Sequence, residues 1–183
     1  MKNDHLRPHV LAVRIISNVS PELAQKLSLG AHHKSLGLIT ADMDDVTYTA
    51  LDEATKASEV EVVYGRSLYA GAANASTKLA GEVIGIIAGP SPAEVRSGLA
   101  AALSFMENGG YFVSANDDDS IVYYAHCISR TGSYLSKQAH ISEGEPLAYL
   151  IAPPLEAIYG LDAAMKAADV KLMEFFAPPS ETN

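Results

Sequence analysis

The chain has 183 residues, room for one domain or two small ones, and 48% of them are hydrophobic, enough to fill a core. Its net charge of −9 counts against a nucleic-acid partner, since phosphate backbones call for clustered lysine and arginine. The apolar runs, such as Val83–Ala88, fall well short of the ~20 residues of a membrane span. The start, Met1 to Pro8, lacks the apolar core of a signal peptide. These features read as a cytosolic protein with no membrane partner. The one cysteine, Cys127, has no partner for an internal disulfide. In the run Tyr123–Ile128 it reads as a small buried apolar residue.

In chain order, Val10–Ile16 is apolar and β-branched and predicts a strand. Ser20-Pro21-Glu22 then opens a helix, with the serine as cap and the proline at the first helical position, ending at Gly30. A strand over Leu36–Thr40 leads to the acidic turn Asp42 to Asp45. A helix over Val46–Ser58 follows, with Asp45 as its N-cap. Glu59–Tyr64 and Glu82–Ala88 read as strands. Ser91-Pro92-Ala93-Glu94 has the spacing of a capping box. It opens a helix over Pro92–Glu107 whose apolar stripe is Val95, Leu99, Ala102 and Met106. Glu107-Asn108-Gly109-Gly110 is a turn. Further on, Ile158, Leu161, Met165 and Ala168 form a second helical stripe, and Asp169–Ala177 predicts a last strand.

The chain also repeats itself. Gly81–Pro90 resembles Gly144–Pro153, and the match continues through Pro92 with Pro154, Glu94 with Glu156 and Gly98 with Gly160. Upstream, Ile39–Asp45 resembles Val113–Asp119. Two Arg-plus-Tyr segments, Arg66–Tyr69 and Arg130–Tyr134, lie between these blocks in the same order. Two homologous units follow, residues 1–108 and 109–183, each mixing strands and helices. The fold class is α+β, with helices against a sheet.

The chain contains no Walker loop, dinucleotide fingerprint or nucleophile elbow. His32-His33 comes nearest to a metal pair, but neighbours on a strand or helix point apart, so no metal site is assigned. Asp44 and Asp45 have the chemistry of an acid–base pair, yet equally that of a solvated turn capping a helix. Their setting favours the latter, and no catalytic residue is assigned.

Several long stretches resemble one family. They are Ser35–Asp42, Asp44–Tyr48, Asp52–Lys56, Val62–Ala72, Ser129–Ser136, Ala152–Gly160 and Pro178–Asn183. Together they are similar to the EutL family of ethanolamine-utilisation microcompartment shell proteins, across essentially the whole chain. The resemblance implies two tandem, circularly permuted microcompartment domains and a homotrimer that mimics a hexamer. It implies facets shared with other shell proteins around encapsulated ethanolamine-degrading enzymes, a gated central channel, small pores within each subunit, and no enzymatic activity. Ethanolamine carries an ammonium, so a pore for it should offer carboxylates.

On that basis Asp44, Asp45, Tyr69, Glu82, Phe112, Glu156 and Thr182 are expected to line the ligand or side-pore region. Asn108–Phe112 and the stretch 70–78 are the candidate gating loops. No cofactor is required; ethanolamine or a cobalamin is the possible ligand. The rival readings are a trimeric binding or sensing module for one of these molecules, and an enzyme built on the paired aspartates. The family usually runs on past Asn183 into another helix, so the second unit is expected to lack its last helix and expose an apolar face.

Overall fold

In the computed structural model, the structure describes residues 4–67 and 83–176. A first sheet has the order β2-β3-β5-β4, formed by β2 (Val10–Ile16), β3 (Ser35–Ala41), β5 (Val83–Gly89) and β4 (Glu61–Ser67). All its pairings are antiparallel. Helices α1 (Pro21–Lys26), α2 (Asp44–Ala57) and α3 (Pro92–Asn108) belong to this unit. A second sheet has the order β1-β6-β7-β8, formed by β1 (His5–Leu6), β6 (Phe112–Ser114), β7 (Val122–Ile128) and β8 (Leu147–Ile151). Here α4 (Ser133–Gln138) and α5 (Pro154–Ala167) accompany it.

The first unit carries the core. Strands β3 and β5 are central and almost wholly buried, because apolar groups cover both faces. On one side Ile39, Ala41, Val83 and Ile87 meet Val46, Ala50, Leu51 and Ala54 of α2 and Val95, Leu99, Ala102 and Met106 of α3. On the other side Leu36, Ile86 and Ala88 are covered by Val19, Leu27 and Leu29 around α1. The α3 stripe expected from the sequence is buried as a whole.

Local chemistry departs from expectation at three helix ends. Ser20 caps α1 as expected, accepting the N–H of Leu23, but the helix stops at Lys26 because Ser28 turns left-handed at φ 53°. Helix α2 begins earlier, behind Met43, so Asp45 lies inside the first turn and is not the cap. Ser91 accepts the N–H of Glu94, but the Glu94 carboxylate turns away to accept the N–H of Glu59. The capping box is therefore half-formed, and its glutamate ties α3 to the entry of β4.

The second sheet was largely unread in the sequence: β1, β7 and α4 lie where no element was expected, and of β6 only the strand end at Val113–Ser114 was visible, through its likeness to Ile39–Asp45. Alternation along β7 buries Tyr124 and Ile128 and turns Cys127 outward, so the expected burial of that cysteine does not hold. Residues 171–176 form no paired strand, and among the described residues β8 is paired only with β7. The α5 stripe has no buried member, because among the described residues the main packing partner of α5 is β8.

The two units repeat each other in a register that differs from the one drawn from Gly81–Pro90 and Gly144–Pro153. Both β2 and β7 have seven residues and lead into a six-residue helix, α1 or α4. Each helix is followed by a cap residue and then a non-glycine residue at φ 53°, Ser28 or His140. Then β3 pairs with β2 as β8 pairs with β7: Ile16 faces Leu36 and Arg14 faces Leu38, as Ile128 faces Leu147 and His126 faces Tyr149. Helices α2 and α5, each 14 residues, come next. Aligned from their first residues, they pair Leu51-Asp52-Glu53-Ala54-Thr55-Lys56-Ala57 with Leu161-Asp162-Ala163-Ala164-Met165-Lys166-Ala167. Thus β2-α1-β3-α2 matches β7-α4-β8-α5. The likeness of Gly81–Pro90 to Gly144–Pro153 pairs β5 and α3 with β8 and α5, because any buried strand running through a proline into a helix looks alike in sequence. Among the described residues the second unit has no equivalent of β5 or α3.

Candidate functional site

The first turn of α2 meets the second unit at an acidic junction. Asp44 Oδ1 accepts the N–H of Asp45 at 2.9 Å, and its Oδ2 accepts the hydroxyl of Ser67, from the end of β4, at 2.7 Å. Ser67 and Tyr48 share a hydrogen bond of 2.6 Å. Asp45 Oδ1 accepts the hydroxyl of Tyr149, from β8, at 2.9 Å. One turn on, Tyr124 of β7 donates to Thr49 at 3.0 Å. Phe112 stacks on Tyr124 at 5.4 Å, and Tyr149 meets the same ring edge-on at 5.8 Å.

Burial, then the neighbouring Asp44 charge, lifts the Asp45 carboxyl to about 6. Asp45 therefore changes charge just below neutral pH. Burial first, then Asp45, pushes the Tyr149 hydroxyl far above the usual tyrosine range, so it stays a donor. Tyr124 is pushed up to about 12 by burial. The result is a pair of carboxylates ringed by hydroxyls and aromatic faces, chemistry suited to holding a small cation.

The structure brings Asp44 and Asp45 together and places Phe112 at the same junction through Tyr124. Glu156 stands apart, exposed in the first turn of α5. Tyr69, Glu82 and Thr182, and the candidate gating stretch 70–78, lie outside the described residues. The other candidate gating loop is packed: Gly110 is buried, its N–H bonds to the Phe105 carbonyl, and a Cβ there would come within 2.4 Å of Val46. Tyr48, Ser67, Thr49, Tyr124 and Tyr149 were missed. Each is a hydroxyl on an otherwise apolar strand or helix face, and only the tertiary fold shows that they converge.

His32 and His33 behave differently from expectation. They sit in a turn, not a strand, and their rings converge at 3.9 Å. Both Nε2 atoms face Glu61 Oε1, at 3.4 and 3.7 Å. His33 Nδ1 accepts the N–H of Gly30, so in neutral His33 the proton is on Nε2. That nitrogen offers Glu61 a proton, not a lone pair for a metal.

A family model for the BMC domain matches residues 35–118. EutL of Clostridium perfringens, a bacterial microcompartment shell protein, is 78% identical over the whole of this chain, which spans 84% of that relative. Its crystal structure superposes with a TM-score of 0.93 and is covered to 83%. The ethanolamine utilization protein EutL of Leptotrichia buccalis gives the same TM-score at 68% identity, with 100% of this chain and 84% of that chain covered. The trimeric shell protein PduB shares the fold, with a TM-score of 0.73 at 20% identity, over 93% of this chain and 73% of its own.

Fold and comparisons together define a bacterial microcompartment shell protein, a structural subunit and not an enzyme. Within that class, the chain belongs to the EutL family of ethanolamine-utilisation shell proteins. No helix among the described residues is long and apolar enough to cross a membrane.

Proposed function

We propose that the chain forms a homotrimeric, pseudohexameric tile of the ethanolamine-utilisation shell and that the acidic junction holds ethanolamine beside a selective pore. Its two units are taken as residues 1–108 and 109–183, although β1 crosses to the second sheet. The tile meets other shell proteins laterally and encloses the ethanolamine-degrading enzymes. Asp44 and Asp45 supply the charge that attracts the ammonium. Phe112 supplies an aromatic wall, Tyr69, Glu82 and Thr182 complete the lining, and Glu156, which stands apart within one chain, reaches it from a neighbouring subunit. The observation that carries this reading is the Asp45 carboxylate, lifted to about 6 and held between two units. A buried charge left without a cation is costly, and a bound ammonium offsets that cost.

Titration calorimetry with ethanolamine tests the site. At pH 8 the wild-type chain is expected to bind, and Asp45→Asn to bind about tenfold more weakly or worse. Binding by wild type should also weaken below pH about 6, as Asp45 gains its proton. Equal affinity of the two proteins at both pH values would remove Asp45 from the site.

A further inference from the structure

Of the four carboxylate oxygens at the acidic junction, three are held by donors of the chain. Asp44 Oδ1 accepts the N–H of Asp45, Asp44 Oδ2 accepts the Ser67 hydroxyl, and Asp45 Oδ1 accepts the Tyr149 hydroxyl. The fourth, Asp45 Oδ2, has no hydroxyl or N–H donor among the described residues. The first two donors belong to α2 and β4 of the first unit. The third crosses from β8 of the second unit, 104 residues further along the chain.

That crossing bond is not something the fold repeats. Where α2 has Asp45, α5 has Leu155, and where β8 has Tyr149, the matching strand β3 has Leu38. Nor does packing call for the hydroxyl. The Tyr149 ring meets Tyr124 edge-on at 5.8 Å, a contact that a phenylalanine ring also makes. What the hydroxyl adds is a permanent donor, because burial and then the Asp45 charge hold its proton in place.

The titratable groups facing Asp45 are Asp44 and Tyr48 on α2, Tyr124 on β7 and Tyr149 on β8. Burial keeps Tyr48 and Tyr124 neutral. The other two act in opposite senses. Burial, then Asp44, favours the protonated Asp45 carboxyl, whereas the Tyr149 hydrogen bond favours the carboxylate. A carboxyl that has taken up a proton has no charge to offer an ammonium.

We infer that Tyr149 is a positioning residue of this site: its hydroxyl, reaching across from the second unit, keeps Asp45 ionised near neutral pH and leaves Oδ2 for the ammonium of a small primary amine. This rests on the ethanolamine reading above and names the residue that regulates it.

Tyr149→Phe tests it, with Tyr149→Leu, the residue of the matching strand, as a second variant of different shape. In the ligand-free protein, carbon-13 NMR of the aspartate carboxyls follows Asp45, assigned with Asp45→Asn. Its midpoint, about 6 in wild type, is expected to rise by about one unit in both variants, since the carboxylate loses a charge-assisted hydrogen bond. Titration calorimetry with ethanolamine should then show a loss of about threefold at pH 6.5. The loss should shrink below about twofold at pH 8, where Asp45 is ionised with or without the hydroxyl. A merely structural tyrosine would weaken binding equally at the two pH values. An unmoved midpoint, or equal losses at both pH values, overturns the role of Tyr149 and leaves the ethanolamine reading standing. If wild type binds no ethanolamine that reading falls, and the midpoint in the ligand-free protein still decides whether Tyr149 holds the carboxylate.

Discussion

Asp52 lies on α2 in the first unit, yet its carboxylate is the N-terminal anchor of α4 in the second, accepting from Gly132 and Leu135 at 2.8 Å each. The residue is 0% exposed. Lys56, at 3.5 Å, is its only salt-bridge partner among the described residues. A buried carboxylate satisfied by two backbone donors and a cation is costly to truncate, because all three partners lose their acceptor at once. Asp52→Ala is expected to destabilise the chain by about 3 kcal/mol, read from urea unfolding. A loss below about 1 kcal/mol would mean that water replaces the carboxylate.

The same seam leaves no room at Gly132. A Cβ there would lie 2.2 Å from Thr55 Oγ1 and 2.7 Å from the Asp52 backbone oxygen. The threonine can rotate, but the backbone cannot yield without moving α2. Gly132→Ala should cost about 2 kcal/mol, and pairing it with Thr55→Ala should recover only part of that in the same urea series.

Tyr124 and Thr49 offer a gentler probe of the junction. Their hydroxyl pair is buried and crosses from β7 to α2. Tyr124→Phe and Thr49→Val, measured singly and together, should give a coupling energy of about 1 kcal/mol. Strict additivity would show that the two units pack by shape alone at this point.

Acid should act on this fold in an unusual direction at one position. The Asp45 carboxyl is lifted from 3.8 to about 6 in the folded chain. The folded state therefore holds the proton more tightly than the unfolded state does. The stability this provides is present below pH about 4 and fades as pH rises through about 6. Asp45→Asn removes the penalty of the buried charge. The variant should be more stable than wild type above pH 7 by about 1 to 3 kcal/mol, with the gap closing toward pH 4. Paired thermal melts across that range measure it, and a gap independent of pH would place the charge in solvent. Such a stabilising loss is expected where a site is strained for binding.

Much of the first unit was legible because its signals are local. Ser91-Pro92 and the stripe Val95-Leu99-Ala102-Met106 state a capped helix with a buried face, and Val10–Ile16 states a strand. The second unit was not, since β6 has three residues and α4 six, too short for any periodicity to emerge. Of the junction, Asp44 and Asp45 stood out as a paired charge. Tyr149 did not, because nothing near β8 in the chain announces a partner more than a hundred residues away on α2. The repeat was visible but read in the wrong register. The seven-residue match Leu51–Ala57 with Leu161–Ala167 was outweighed by the look-alike proline entries of α3 and α5.

The two residues of β1 have an effect out of proportion to their length. His5 and Leu6 pair with Val113 and Phe112, the Ser114 N–H reaches the Asp4 carbonyl, and the His5 ring stacks on Tyr111 at 3.7 Å. The polypeptide thus sets out from the second sheet, runs through the whole of the first unit and comes back. Among the described residues the chain passes between the halves twice, before β2 and after α3. A protease that nicked the chain at the link after α3 would not free them: the leading segment would still be clasped in the opposite sheet, and the nicked protein should migrate as one particle until it is denatured.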